Sequence, residues 1–230
     1  MDEATKKAGR LPEEVALVAV TKTYPVECAI AAVDAGVLLL GENKVQEGIS
    51  KKVEFAGIRP DYQPDWHLIG HLQSNKASKA VRNFDLIHSV DGVALAREIQ
   101  KHAAGLGKIQ RVLIQVNGSE EASKSGLEFD DVAEALGEIL ETCPHVLVEG
   151  FMTMAQISED PEETRPVFRR LRKLRDDLKN RFAGAEGFRP VHLSMGMTQD
   201  FPIAIEEGAT LVRVGTAIFG QRAYSVGSGG

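Results

Sequence analysis

Val15-Ala-Leu-Val-Ala-Val-Thr-Lys22, followed at once by Thr23-Tyr24-Pro25, is the stretch on which the fold turns. A run this short, rich in β-branched residues and ended by proline, reads as a buried parallel strand. Side chains alternate across a strand, so counting by twos from Lys22 puts Val20, Val18 and Ala16 on its face. The lysine amine therefore leaves the last rung of an apolar wall. Lysine is seldom buried unless paired. Desolvation lowers the pKa of such an amine and makes it a nucleophile suited to Schiff-base chemistry. The plainer alternative is a strand-end lysine that bends out into water.

The pattern set by this strand recurs along the chain. A helix over residues 25–36 leads to a strand over 37–40 that closes in Gly41-Glu42-Asn43, and a helix over 45–55 follows. Further strands are predicted at 66–70, 85–90, 110–117, 146–154, 191–194 and 211–215. Helices are predicted between them, with Asp91 placed to cap the one that runs toward Ala104. About eight strands alternating with about eight helices is the signature of an α/β protein built as a single (β/α)8 TIM-type barrel. A doubly wound open sheet would want a glycine-rich turn after the first strand, and Thr23-Tyr24-Pro25 is no such turn. One domain over residues 1–222 is expected, with 223–230 a Gly/Ser-rich flexible tail.

Composition narrows the function. The 230 residues are 43% apolar, enough for a substantial core, and carry a net charge of −6. That balance argues against nucleic-acid and membrane-surface roles, which need a concentrated positive field. The basic run from Arg169 to Arg175 is threaded by Val167, Leu171, Leu174, Leu178 and Phe182 at helical spacing, so its charges are expected on the wet face of an amphipathic helix. No apolar run reaches membrane-spanning length. Cys28 and Cys143 show neither metal nor redox spacing, and reduced thiols in a cytoplasmic protein are expected.

Barrel enzymes place their chemistry at the carboxyl ends of the strands. Those ends read Lys22, Glu42-Asn43, Gly70-His71, Ser89 to Asp91, Asn117, Met152-Thr153, Ser194 and Gly215-Thr216. The last two loops are the usual phosphate seat of the fold. Ser194, Gly196, Gly215 and Thr216 offer it hydroxyl donors and backbone free of side chains, and Arg213, two residues before Gly215, points a cation inward. A Schiff-base lysine, a phosphate cup and an inward cation are together what pyridoxal 5′-phosphate requires. Singly, each has a structural alternative: a helix cap, a tight turn, an ion pair. His67, His71 and His88 lack carboxylate partners at metal-site spacing and read as hydrogen-bonding core or rim residues. The polar connection at 118–128 is the longest in the chain, and its length points to function.

Leu17-Val-Ala-Val-Thr-Lys-Thr23, Gly41-Glu-Asn-Lys-Val-Gln-Glu47, Trp66-His-Leu-Ile-Gly-His-Leu-Gln-Ser-Asn-Lys76, His88-Ser-Val-Asp91, Leu193-Ser-Met-Gly-Met197 and Val212-Arg-Val-Gly-Thr216 together resemble the pyridoxal phosphate homeostasis protein family. The resemblance implies a barrel like the alanine racemase N-terminal domain, with the cofactor held as an internal aldimine on Lys22. It further implies that Ser194, Gly215 and Thr216 hold the phosphate, that Arg213 lies near the pyridine nitrogen and that Asn43 lines the ring site. Lys44 stands where relatives commonly carry an aromatic residue and adds charge near the mouth of the site.

The implied role is a monomeric, non-catalytic carrier that keeps pyridoxal phosphate in the cell and delivers it to apo-enzymes. A racemase of the alanine-racemase type is the alternative, but racemisation needs acid–base groups on both faces of the bound amino acid. In alanine racemase the opposing tyrosine comes from a second, β-rich domain. Of the tyrosines here, Tyr24 follows Lys22 on the same strand end, Tyr62 sits in a turn-rich stretch and Tyr224 in the tail. The carrier is therefore the expected function.

Overall fold

A computed structural model of the chain describes residues 1–118, 125–156 and 158–220. Eight strands close into a barrel in sequence order: β1 (Ala16–Val20), β2 (Leu39–Glu42), β3 (Asp65–Leu68), β4 (Leu86–Val90), β5 (Gln110–Gly118), β6 (Val146–Ala155), β7 (Phe188–Ser194) and β8 (Leu211–Val214). Every pairing is parallel, and β1 closes the ring by setting Val18 against Arg213 of β8 and Val20 against Gly41 of β2. Around the barrel lie α1 (Asp2–Lys7), α2 (Val26–Asp34), α3 (Val45–Ile58), α4 (Ala77–Asn83), α5 (Val93–Gly105), α6 (Val132–Thr142), α7 (Arg165–Arg181), α8 (Phe201–Glu206) and α9 (Thr216–Phe219). The (β/α)8 expectation is met.

Alternation along the strands divides the apolar residues between two cores. Val18, Leu86, Leu113, Met152 and Leu211 fill the barrel interior, with Ala16 and Leu39 packed against them. Ala19, Leu40, Leu68, Ile87 and Val112 face outward into the larger core between sheet and helices, which also buries Phe55, Trp66 and Phe84. The face counted by twos from Lys22 is thus the inner wall. Burying that wall and the outer layer drives closure, because a parallel sheet is stable only with both faces covered.

One local expectation is corrected. Asp91 does not cap α5, whose N-cap is Gly92; its carboxylate lies 3.4 Å from Nδ1 of His71 at the rim. The charges of α7 lie on the wet face as expected, with Arg169 and Arg170 exposed, and they are also partnered. Arg165, Arg169 and Arg172 converge on Glu207 at 3.1, 2.9 and 3.3 Å, and that carboxylate is only 5% exposed. The arginines tie α7 to the end of α8 while Phe168, Leu171 and Leu178 bury the apolar side. The 223–230 tail and most of the 118–128 loop lie outside the described residues.

Candidate functional site

At the carboxyl ends of the strands the barrel opens into a cavity of about 720 Å3, with Lys22, Asn43, Arg213, Gly215 and Thr216 in its lining. Ser194 is absent from that lining. It is fully buried, and its hydroxyl is engaged beneath the cavity floor.

Lys22 stands two residues past the end of β1, where the strand passes into a turn. Its neighbour Thr21 is buried and donates from Oγ1 to Oε1 of Glu42, at the end of β2, over 2.6 Å. The same oxygen receives Nζ of Lys51, from α3, at 2.5 Å, and Lys51 also donates to the Thr21 carbonyl at 2.6 Å. Both charges are almost wholly excluded from water. Burial pushes the Glu42 carboxyl above its ordinary pKa, against the opposing pull of Lys51 and Thr21. The pair lies outside the cavity lining and braces the backbone before Lys22, a role that no motif announces. The available signals were an acid in an otherwise apolar strand and the Glu47/Lys51 spacing of one helical turn.

Two loops build the wall that adjoins β1 on its β8 side. After β7 the chain turns at Gly196, where φ is +91° and a Cβ would sit 2.5 Å from that of Ala204, so only glycine fits. Asp200 fastens this loop by accepting the Met197 amide at 2.6 Å. After β8, a Cβ on Gly215 would stand 3.1 Å from the Val20 carbonyl, which keeps this backbone bare beside β1. Thr216 opens α9 with its hydroxyl 3.1 Å from that of Thr198. Two hydroxyls and an unshielded backbone thus face the cavity, the donor set an anion needs.

Beneath the floor runs a buried polar chain. Arg213 donates from Nη1 to Ser194 Oγ at 2.6 Å and from Nη2 to the Thr153 carbonyl at 2.9 Å. Ser194 pairs with Nδ1 of His88 at 2.9 Å, and Nε2 of His88 with Nδ1 of His67 at 3.0 Å. Burial lowers the Arg213 pKa to about 10, with Asp200 opposing, so the guanidinium stays charged at neutral pH. Burial also pushes His67 down to about 3, helped by Arg111 and His192, and holds His88 well below its ordinary value. Both rings are neutral at neutral pH. Of the other rim candidates, Tyr24 donates its hydroxyl to the Gly220 carbonyl at 2.7 Å, and the His71 side chain is 54% exposed.

The family model for the N-terminal domain of alanine racemase matches residues 3–223. The pyridoxal phosphate homeostasis protein of Vibrio alginolyticus is 42% identical over 96% of this chain and 92% of its own length. Its counterpart in Aquifex aeolicus is 42% identical over 97% and 94%. Among solved structures, PipY of Synechococcus elongatus with pyridoxal phosphate (PLP) bound superposes with a TM-score of 0.81 at 37% identity, covering 95% of this chain and 99% of that one. Alanine racemase of Clostridium difficile shares the fold, with a TM-score of 0.72 at 17% identity over 97% of this chain and 56% of the racemase.

Proposed function

The chain belongs to the pyridoxal phosphate homeostasis protein family, and from that premise we propose that it binds pyridoxal 5′-phosphate through Lys22, holds it, and hands it on to apo-enzymes without turning over a substrate. The observation that carries this reading is one cavity whose lining brings together Lys22, Asn43, Arg213, Gly215 and Thr216. When bound, the cofactor supplies an aldehyde that condenses with an amine and a ring that stabilises carbanions. The residues fit its parts. Lys22 would supply the amine for the aldehyde, Asn43 and Arg213 would hold the ring, and Thr216, with Thr198 beside it and the bare backbone of Gly215, would hold the phosphate. Ser194 acts from below by fixing Arg213.

Holding without turnover is supported by what the groups near Lys22 already do. The Tyr24 hydroxyl is committed to the Gly220 carbonyl, and His71 stands at the exposed rim beside Asp91. Neither is aimed as the opposing acid that racemisation requires. A monomer working inside the cell completes the proposal; among the described residues no helix is long and apolar enough to cross a membrane.

The purified protein is expected to be yellow, or to become so on adding pyridoxal 5′-phosphate. Borohydride should bleach the band and leave a pyridoxyl group on Lys22. A protein that stays colourless with added cofactor overturns the assignment, and an adduct on another lysine moves the site.

A further inference from the structure

Among the described residues Thr23 is the one non-glycine with a positive φ, at +63°. It directly follows Lys22. The Tyr24 amide donates to the Thr21 carbonyl at 3.0 Å, which closes a β-turn with Lys22 and Thr23 at its centre. Positive φ at the third position of a turn is where glycine is favoured, and a β-branched residue there is held against its own preference. The Thr23 amide donates to Oε1 of Glu47. Glu47 lies in the first turn of α3, where the helix dipole favours a carboxylate. One turn further along, Lys51 holds the carbonyl on the other side of Lys22, at Thr21, and its ammonium stands 3.6 Å from Glu47. The two peptide groups that bracket Lys22 are thus gripped by one face of α3.

From this geometry we infer that Glu47 is a positioning residue for Lys22: its carboxylate holds the Thr23 amide, keeps the turn left-handed, and so aims the lysine amine into the cavity. The inference rests on the proposed pyridoxal-phosphate reading. The step it would govern is condensation: neutral Lys22 Nζ would form a C=N bond to the aldehyde carbon as the C=O bond breaks, and the oxygen would leave as water with the two amine hydrogens. Removing Glu47 lets Thr23 relax toward negative φ, which rotates the Lys22 peptide and swings the amine away. Glycine at position 23 removes the reason to relax.

The test compares wild type, Glu47→Ala, Thr23→Gly and the double variant. The first readout is amide hydrogen exchange at residue 23 in ligand-free protein, expected to be slow in wild type and at least tenfold faster in Glu47→Ala. The second is capture of pyridoxal 5′-phosphate by Lys22 against binding of 4-deoxypyridoxine 5′-phosphate, which has no aldehyde. Glu47→Ala should slow capture roughly tenfold, the scale of one hydrogen bond to a charged group, while the deoxy analogue binds within about twofold of wild type. Thr23→Gly alone should capture nearly as wild type does, and in the double variant it should restore most of the lost rate. Unchanged exchange at Thr23, equal losses for both ligands, or a double variant no better than Glu47→Ala would each overturn the inference. Wild type that takes up neither ligand would instead overturn the homeostasis reading, and the exchange measurement would still decide whether Glu47 holds the turn.

Discussion

Arg213 and Ser194 are joined across β8 and β7 by a 2.6 Å hydrogen bond, and both side chains are sealed inside the barrel. The cation in the cavity floor is thus held by a hydroxyl that does not itself line the cavity. Ser194→Ala leaves a guanidinium N–H without that acceptor in a dry interior, at a cost of about 1.5–3 kcal/mol. Denaturant unfolding should show the loss. Affinities for pyridoxal phosphate and for unphosphorylated pyridoxal should fall by similar factors; a selective loss for the phosphorylated form would place the hydroxyl in the phosphate seat.

Thr216 and Gly215 should behave in the opposite way. Thr216→Val removes a hydroxyl from the anion cup, and a larger residue at Gly215 drives a side chain toward the Val20 carbonyl, 3.1 Å from the position of its Cβ. Each should weaken retention of pyridoxal phosphate by about one to two decades, the equivalent of one hydrogen bond to a charged group, with far less effect on pyridoxal. Equal weakening of both ligands in binding titrations would mean that these residues only shape the barrel.

The fold was legible because its signal is local: short apolar runs, turn residues between them, and a period of two that put Val18 on the inner wall with Lys22 at its end. Five of the six candidate residues converge on one cavity for the same reason, since strand ends in a barrel share a face. Direction within that face was not legible. A residue at a strand end can reach up into the cavity or stay down in the barrel interior, and Ser194 stays below because Arg213 and His88 offer it partners from other strands. Glu42 and Lys51 meet only once α3 has packed on β2, and the arginines of α7 find Glu207 only because α8 ends beside them.

His67 gives the barrel a defined acid sensitivity. Its pKa is 6.5 in the unfolded chain and pushed down to about 3 in the fold. Between these values the unfolded chain binds a proton that the folded protein refuses. The stability from the neutral ring is therefore fully present above 6.5 and lost as pH falls through the window toward 3. The slope for one such group is up to about 1.4 kcal/mol per pH unit. His67→Gln should flatten the pH dependence of unfolding between about pH 4 and pH 6 by nearly one proton relative to wild type. Glu42, whose carboxyl is shifted upward, works in the opposite sense in both proteins and drops out of the difference. Parallel slopes would mean that His67 is protonated inside the barrel.

The remaining prediction separates carrier from enzyme, and it rests on where the acid–base groups point. Lys22 can exchange a proton with one face of a bound amino acid, but inversion needs a second group poised on the other face. The Tyr24 hydroxyl is spent on the Gly220 carbonyl at 2.7 Å, and the ring of Tyr24 leans on Phe219 with centroids 5.1 Å apart, so swinging it over the cavity would break two contacts at once. A positioned acid or base contributes about two to four decades of rate, so a site with one such group should show at most a trace of racemisation. With holoprotein and an L-amino acid in deuterated water, little inversion at the α-carbon is expected, and any deuterium taken up there should enter with retention. The same preparation should restore activity to a pyridoxal-phosphate-dependent enzyme stripped of its cofactor. Inversion at ordinary enzymatic turnover, abolished by Lys22→Ala and by Tyr24→Phe, would identify Tyr24 as the missing group and make the protein a racemase.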